Sequence, residues 1–284
     1  MSVRVASWNI EGRLSQFATR GRGTPDKIID EIERLDADVI VLPEVYDGER
    51  GVGQPVEARI ARLGYAYIHD VNYKNGGPER RKDDAVKQPY LRMMSKLAFQ
   101  SIRTVRLGDL RDAIDAVVLD PETGLPIRVI GVHLDDRSED LRDRQVDDLE
   151  RIVTRSDVPI ILAGDMNDMY PHSRRAAFLR STPVRLMAHA FPHEPLADFG
   201  MRTAEMAIGR SIARLTAPGM LVDADRTHQP TTTPRVRGFE FFPSIPLIDI
   251  DHIMTSPSLK TSDYTVGKGD AGSDHRPISV TVSR

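Results

Sequence analysis

Apolar, β-branched runs in this chain repeatedly stop on carboxylate, amide or imidazole side chains, from its first residues to its last. They close on Ser7-Trp8-Asn9-Ile10-Glu11, Leu42-Pro43-Glu44-Val45, Gly131-Val132-His133-Leu134 and Gly164-Asp165-Met166-Asn167. The series ends with Asp251-His252-Ile253 and then Ser273-Asp274-His275. A run such as Val39-Ile40-Val41-Leu42, apolar at every position, suits a strand buried on both faces. Strands that end on polar groups of this kind set them along one rim of a sheet. A layered sheet architecture is therefore expected, with the chemistry at that rim.

Helical patterns alternate with these strands, which predicts an α/β or layered α+β fold. Thr24-Pro25 opens a helix with Ile28, Ile29, Ile32 and Leu35 on one face, and a second helix covers Val56 to Leu63, ending at Gly64. Asn72 to Gln88 is polar and reads as a loop. Strands follow near Leu91–Phe99, Ile102–Arg106, Ala113–Leu119 and Ile127–His133, with a turn at Pro121-Glu122-Thr123-Gly124. Ser138 caps a helix to about Arg155, with Leu141, Leu149, Ile152 and Val153 on its apolar face, and Pro159 to Ala163 is a further buried strand. Between Pro171 and Pro246 the pattern loosens. One helix stands out there, from Asp198 to Leu215, with Met201, Ala204, Ile208, Ile212 and Leu215 at helical spacing. With 284 residues and neither repeat nor linker, residues 1–284 are expected to form one catalytic domain.

The chain has no cysteine, which excludes disulfides, a thiol nucleophile and a cysteine-based zinc site. No secretory signal precedes the first strand and no run reaches the roughly 18 apolar residues of a membrane span, so a cytoplasmic monomer without a membrane anchor is expected. The net charge of −3 is no footprint of a strongly basic nucleic-acid binder. Local clusters can still engage phosphate: Arg80, Arg81 and Lys82; Arg174 and Arg175; Arg235 and Arg237.

Asn9 and Glu11 are two apart, as are Asp165 and Asn167, so on extended chain each pair shares a face. Together with Glu44 they are hard oxygen donors that suit Mg²⁺, with Mn²⁺ as a substitute. His133, His252 and His275 raise zinc as an alternative, but they lack a zinc motif's spacing and are outnumbered by oxygen donors. Taken singly, each residue has a structural alternative as a turn cap or a satisfied core group.

The order of these motifs resembles the endonuclease/exonuclease/phosphatase superfamily, the deoxyribonuclease I-like phosphodiesterases. The resemblance rests on Ser-Trp-Asn at 7–9, Pro-Glu-Val at 43–45, Val-His-Leu at 132–134, Gly-Asp-Met-Asn at 164–167, Ile-Asp-His-Ile at 250–253 and Ser-Asp-His at 273–275. It implies a four-layer sandwich: two mixed β-sheets packed face to face, with helices on the outer faces. It implies further that Glu44 is the principal metal ligand, with Glu11, Asn9 and Asp274 lining the same pocket. Asp165 would deprotonate the attacking water and Asn167 orient it. Asp251 would fix the tautomer of His275, which donates to the phosphoryl oxygen, while His133 contacts the phosphate or assists the leaving group.

Two features depart from that pattern. Asp249 stands where relatives often carry a basic residue; it either shares a face with Asp251 or points outward from a strand edge. The segment around 171–246 is long, and as an insertion it is expected to shape the substrate cleft. Arg142, Arg144 and Gln145 are assigned to packing and salt bridges. Trp8 is expected in the core, whereas Tyr73 and Tyr90, and Phe239, Phe241 and Phe242, accompany basic residues, a mixture that suits single-stranded or distorted nucleic acid, with a membrane surface as the alternative. The expected function is Mg²⁺-dependent hydrolysis of a phosphodiester, with DNA or RNA as substrate. Phospholipid headgroups, inositol phosphates and small nucleotides are the rival substrates, and a non-catalytic binding module is the rival class.

Overall fold

The computed structural model describes residues 2–11, 25–46, 53–72, 89–108, 111–181, 202–233, 246–267 and 271–284. Within them two six-stranded sheets form. The first contains β1 (Val3–Ser7), β2 (Val39–Tyr46), β3 (Tyr67–Asn72), β4 (Pro89–Ser95), β11 (Lys260–Val266) and β12 (Ile278–Ser283), in the order β11-β12-β1-β2-β4-β3. The second contains β5 (Phe99–Leu107), β6 (Arg111–Leu119), β7 (Pro126–His133), β8 (Ile160–Asp165), β9 (Val222–Asp223) and β10 (Asp251–Thr255), in the order β5-β6-β7-β8-β10-β9. Both are mixed: β1 with β2 and β7 with β8 run parallel, among antiparallel neighbours.

The fully apolar runs are explained by burial on both faces. In β2, Val39 and Val41 point between the sheets and meet Met93, Ile114, Ala116, Ile161 and Ala163 in the shared core. The alternate residues Ile40 and Leu42 point outward, where α1 (Pro25–Leu35) and α2 (Gly53–Arg62) cover them with Ile28, Ile32 and Ile60. On the other side, Ile160 and Leu162 of β8 pack beneath α3 (Glu139–Thr154) and α5 (Arg210–Leu215), through Val146, Leu149, Ile212 and Leu215. Period-two alternation therefore sorts the central strands β2 and β8 between an inter-sheet core and a helix-covered face, giving helix, sheet, sheet and helix layers. Trp8 lies in the core as expected, fully buried.

Several local expectations need correction. The long helix from Asp198 to Leu215 is not continuous within the described residues: a helical turn over 202–206 ends, and α5 begins after Gly209 at φ +73. A Cβ on Gly209 would lie 2.6 Å from the Met169 carbonyl, so a tight backbone approach breaks the helix there. The fully buried face of α3 carries Glu139, Arg142, Gln145 and Val146 beside the expected Leu149; Ile152 and Val153 pack half-buried against the same core, whereas Leu141 is not part of it. Arg142 is buried because it pairs with Glu139 Oε2 at 2.6 Å and donates to the Asp135 and Glu205 carbonyls. The Ser138 side chain makes no cap bond; Asp135 Oδ1 instead accepts from Arg137 N and Ser138 N at the helix entrance. The elements without a sequence expectation include β3, whose mostly exposed residues lack an apolar alternation, the short α4 (Arg174–Leu179), and the strands β9, β11 and β12. Thr24, residues 73–88 of the expected loop, and 182–201 and 234–245 of the long insertion lie outside the described residues.

Gly164 is a steric requirement of β8. A Cβ there would stand 2.0 Å from the Val132 carbonyl oxygen, backbone against backbone, next to the functional rim. Gly164→Ala is therefore expected to destabilise the fold by at least about 2 kcal/mol. Urea unfolding checks this; a midpoint equal to that of the wild type would contradict it.

Candidate active site

The sheet register explains how distant residues meet. Asp165 ends β8, and its neighbours across the ladder are His133 on parallel β7 and Asp251 on antiparallel β10. Adjacent strands lie about 4.8 Å apart, so three reactive side chains are brought abreast by hydrogen-bond pairing alone. The first sheet supplies the rest across the cleft: Asn9 just beyond β1, Glu44 in β2, and the 273–275 segment before β12.

These groups converge on Asp165 Oδ2. Asn9 Nδ2 donates to it at 2.9 Å, His133 Nε2 lies 3.6 Å away and His275 Nε2 3.8 Å away. The other oxygen, Oδ1, accepts from the Asn167 backbone N–H at 2.9 Å. Glu44 Oε1 is 3.9 Å from His133 Nε2, and Asp274 Oδ1 is 3.9 Å from His275 Nε2. His275 Nδ1 is held by Asp251 Oδ2 at 2.8 Å. Glu11 joins through its backbone, donating N–H to Asn9 Oδ1 at 3.0 Å.

The local backbone differs from a plain strand end. Glu11, Glu44 and Asn167 have φ of 46, 56 and 48, in the left-handed region that non-glycine residues rarely occupy. Asn9–Glu11 and Asp165–Asn167 are thus not same-face pairs of extended chain; the second residue of each turns back, its N–H bonding the first residue's side chain. Glu44 does not end its strand either. β2 continues to Tyr46 past a register shift between Leu42 and Val45, and such a bulge re-aims a side chain at a sheet edge.

Electrostatics separate the two histidines. Burial, with Arg111 and His275 nearby, pushes the His133 imidazole well below its ordinary pKa, so it is neutral. Burial acts on His275 in the same direction, but Asp251, Asp165 and Asp274 outweigh it, and its pKa rises well above the usual value. Burial raises Asp165 to about 6, and raises Glu44 to about 7 with help from the Asp274 and Asp165 charges. Crowded carboxylates held near neutral pKa form a site that favours a cation.

Asp165, Asp251 and His275 also place one ligand atom each within 4.8 Å of one another. Asp251 Oδ2 is already taken by three donors, however: His275 Nδ1, Thr231 Oγ1 at 2.6 Å and Thr232 Oγ1 at 3.1 Å. Its contacts are those of a hydrogen-bonding carboxylate. The carboxylates acting on Glu44 are Asp274 and Asp165, which puts the oxygen-rich face on that side.

Other residues were missed or misread. Thr231 and Thr232 sit in what reads as a proline- and threonine-rich loop, with no spacing to mark them. Ser273 Oγ donates to the Asn9 carbonyl at 2.7 Å and Trp8 Nε1 to the His275 carbonyl at 2.9 Å, clasping the β1 exit to the His275 segment. His252 faces away from the site, Nδ1 on Asp223 Oδ2 at 2.8 Å and Nε2 on the Asp168 carbonyl at 3.0 Å. Asp249 does not point outward from a strand edge. It is 2% exposed, its carboxylate oxygens have no hydrogen-bond partner, and burial raises it to about 6, with Asp225 the neighbouring like charge. Tyr90 is 7% exposed and packs with Trp8 and Leu42, so it is no surface for stacking bases. Tyr73, Phe239, Phe241, Phe242, Arg80, Arg81, Lys82, Arg235 and Arg237 lie outside the described residues.

The family model of the Endonuclease/Exonuclease/phosphatase family matches residues 6–275, which include every residue of this site. The chain belongs to that family. Its members are divalent-metal-dependent phosphoester hydrolases. Solved structures agree on the fold. An endonuclease/exonuclease/phosphatase from Beutenbergia cavernae DSM 12333 is 21% identical with a TM-score of 0.66, covering 99% of this chain and 71% of that one. ANGEL2, a 2',3'-cyclic phosphatase, is 16% identical with a TM-score of 0.61, covering 99% and 95%. A mannosyl-6-phosphatase from Bacteroides thetaiotaomicron VPI-5482 is 15% identical with a TM-score of 0.59, covering both chains fully (100%). No curated protein sequence matches the chain. Among the described residues no helix is long and apolar enough to cross a membrane.

Proposed function

We propose that the protein is a Mg²⁺-dependent phosphodiesterase that attacks its substrate in line with a water deprotonated by Asp165, and that the substrate is a nucleic acid. The observation that carries the chemistry is the meeting of Asn9, His133 and His275 around one oxygen of Asp165. Raised to about 6, Asp165 is a stronger base than an ordinary aspartate yet ionised at neutral pH, as a general base requires. Asn167 spends its Nδ2 on the Leu134 carbonyl at 3.0 Å, so its Oδ1 is the atom left to accept from the attacking water.

The histidines divide the remaining work. Cationic His275, its Nδ1 anchored on Asp251, donates from Nε2 to a non-bridging phosphoryl oxygen as charge builds there. Neutral His133 suits a hydrogen bond to phosphate better than proton donation to the leaving alkoxide, because its low pKa leaves no imidazolium to give up. The donor set fits a hard divalent cation: Glu44 would be the principal ligand, with Asp274, Asn9 and Glu11 completing the pocket. Bound there, Mg²⁺ would neutralise charge on the phosphoryl oxygens and acidify the attacking water.

The raised Glu44 gives a pH signature. The metal-free fold keeps this group's full contribution below about pH 4.5 and loses it as the pH passes about 7, where a carboxylate must ionise beside Asp274 and Asp165. A cation replaces that proton, so the rise in Tm on adding Mg²⁺ is expected to be larger at pH 8 than at pH 5. Thermal unfolding with and without Mg²⁺ measures it; an equal rise at both values would contradict the ligand role of Glu44.

Two considerations favour a nucleic-acid substrate: the arginine clusters interleaved with aromatic residues, and the likeness to ANGEL2, whose complex contains adenosine-2',3'-vanadate. The likeness to a mannosyl-6-phosphatase favours a sugar phosphate as the second reading. Single-stranded DNA, plasmid DNA, RNA, a nucleoside 2',3'-cyclic phosphate, mannose 6-phosphate, sphingomyelin and inositol phosphates should be presented side by side with Mg²⁺. The proposal expects the highest kcat/KM for a nucleic acid; preference for a sugar phosphate or lipid headgroup would overturn that choice.

A further inference from the structure

The Asp251 carboxylate is held asymmetrically. Its Oδ2 receives Thr231 Oγ1 at 2.6 Å, His275 Nδ1 at 2.8 Å and Thr232 Oγ1 at 3.1 Å, whereas its Oδ1 is buried without any partner. Thr232 Oγ1 also lies 3.1 Å from His275 Nδ1. From this geometry we infer that Thr231 and Thr232 are positioning residues, whose hydroxyls select the Asp251 oxygen that meets His275 and so aim His275 Nε2 into the site.

The two oxygens of a carboxylate are chemically equivalent. With His275 as its sole donor, Asp251 could rotate to present either oxygen, and the imidazole would follow it. Two further donors on Oδ2 remove that freedom and leave Oδ1 unpaired, a cost tolerated because the other oxygen is triply bonded. The backbone keeps the hydroxyls in place. Thr231 N and Thr232 N donate to the Ile248 carbonyl at 2.9 and 2.8 Å, on the approach to β10. Thr233 N donates to the Asp274 carbonyl and Arg276 N to the Thr231 carbonyl, each at 2.7 Å, on the approach to β12. The threonine segment therefore bridges the two sheets where Asp251 comes from one and His275 from the other.

This inference rests on the proposed hydrolytic role of His275, and its test separates the two. Paired variants, Thr231→Val with Thr232→Val and Thr231→Ser with Thr232→Ser, would be compared for Mg²⁺-dependent hydrolysis of bis(p-nitrophenyl) phosphate. The His275 Nδ1–H resonance, assigned by its loss in His275→Gln, would be read by NMR on histidine-labelled protein. In the valine pair kcat is expected to fall about 10–100-fold with KM within about twofold, and the Nδ1–H resonance to be displaced. The serine pair, which keeps both hydroxyls, is expected to restore both readouts. An undisplaced resonance in the valine pair, or a serine pair as impaired as the valine pair, overturns the inference. Should the valine pair fail to fold, single Thr232→Val and Thr232→Ser carry the same comparison. Should the wild type prove inactive, the hydrolytic reading fails by itself, while the resonance still decides whether the hydroxyls orient His275.

Discussion

Asp165→Asn is expected to lower kcat for a phosphodiester by about 10³-fold while leaving the fold intact. The amide has nearly the carboxylate's shape and can keep the backbone bond from Asn167 N, but it cannot take a proton from water. It also disturbs Oδ2, where Asn9 Nδ2 donates at 2.9 Å and both His133 and His275 approach within 3.8 Å. A substituted amide nitrogen there would face donors rather than acceptors. Because the loss is of a base and not of a binding surface, KM should change only a few-fold. A variant retaining more than about a tenth of wild-type kcat would remove Asp165 from the role of base.

His275→Ala is expected to cost about 10²–10³-fold in kcat, again with little change in KM. Its donor matters most when charge accumulates on the phosphoryl oxygens, so the loss falls on the transition state and not on the bound substrate. The substitution also leaves Asp251 buried without its imidazolium partner, held by the Thr231 and Thr232 hydroxyls. Some loss of stability should accompany the kinetic loss, and thermal unfolding separates the two. A raised KM with unchanged kcat would instead assign His275 to ground-state binding.

The fold was legible because double-sided burial writes itself as unbroken apolar runs: β2 and β8 alternate between the inter-sheet core and the helix layers with no polar position to spare. His133 and Asp165 were legible for the same reason, since each closes such a run at a sheet rim; Asp251 instead opens β10, and Asp274 and His275 precede β12. Sequence spacing could not show how they turn. Glu44 reaches the cleft through a bulge inside β2, and Glu11 and Asn167 through left-handed backbone, conformations that tertiary packing imposes on ordinary residues. The break at Gly209 was hidden because helical spacing continues across it; the close approach of the Met169 carbonyl and of Pro171 leaves no room for a side chain there. Tyr90 and His252 show the reverse error, polar or aromatic groups suggestive in sequence whose partners lie inside the fold. Thr231 and Thr232 had no signal, because a hydroxyl's role here depends on which carboxylate the chain happens to cross.

A single cation-assisted centre assembled from both sheets is tested most directly by hydrolysis of bis(p-nitrophenyl) phosphate by the metal-stripped protein, with Mg²⁺ added and then withdrawn by chelator, beside Asp165→Asn. Turnover that appears only with the metal and is lost in the variant is the expected result. A rate indifferent to chelator, or equal in wild type and Asp165→Asn, would contradict it.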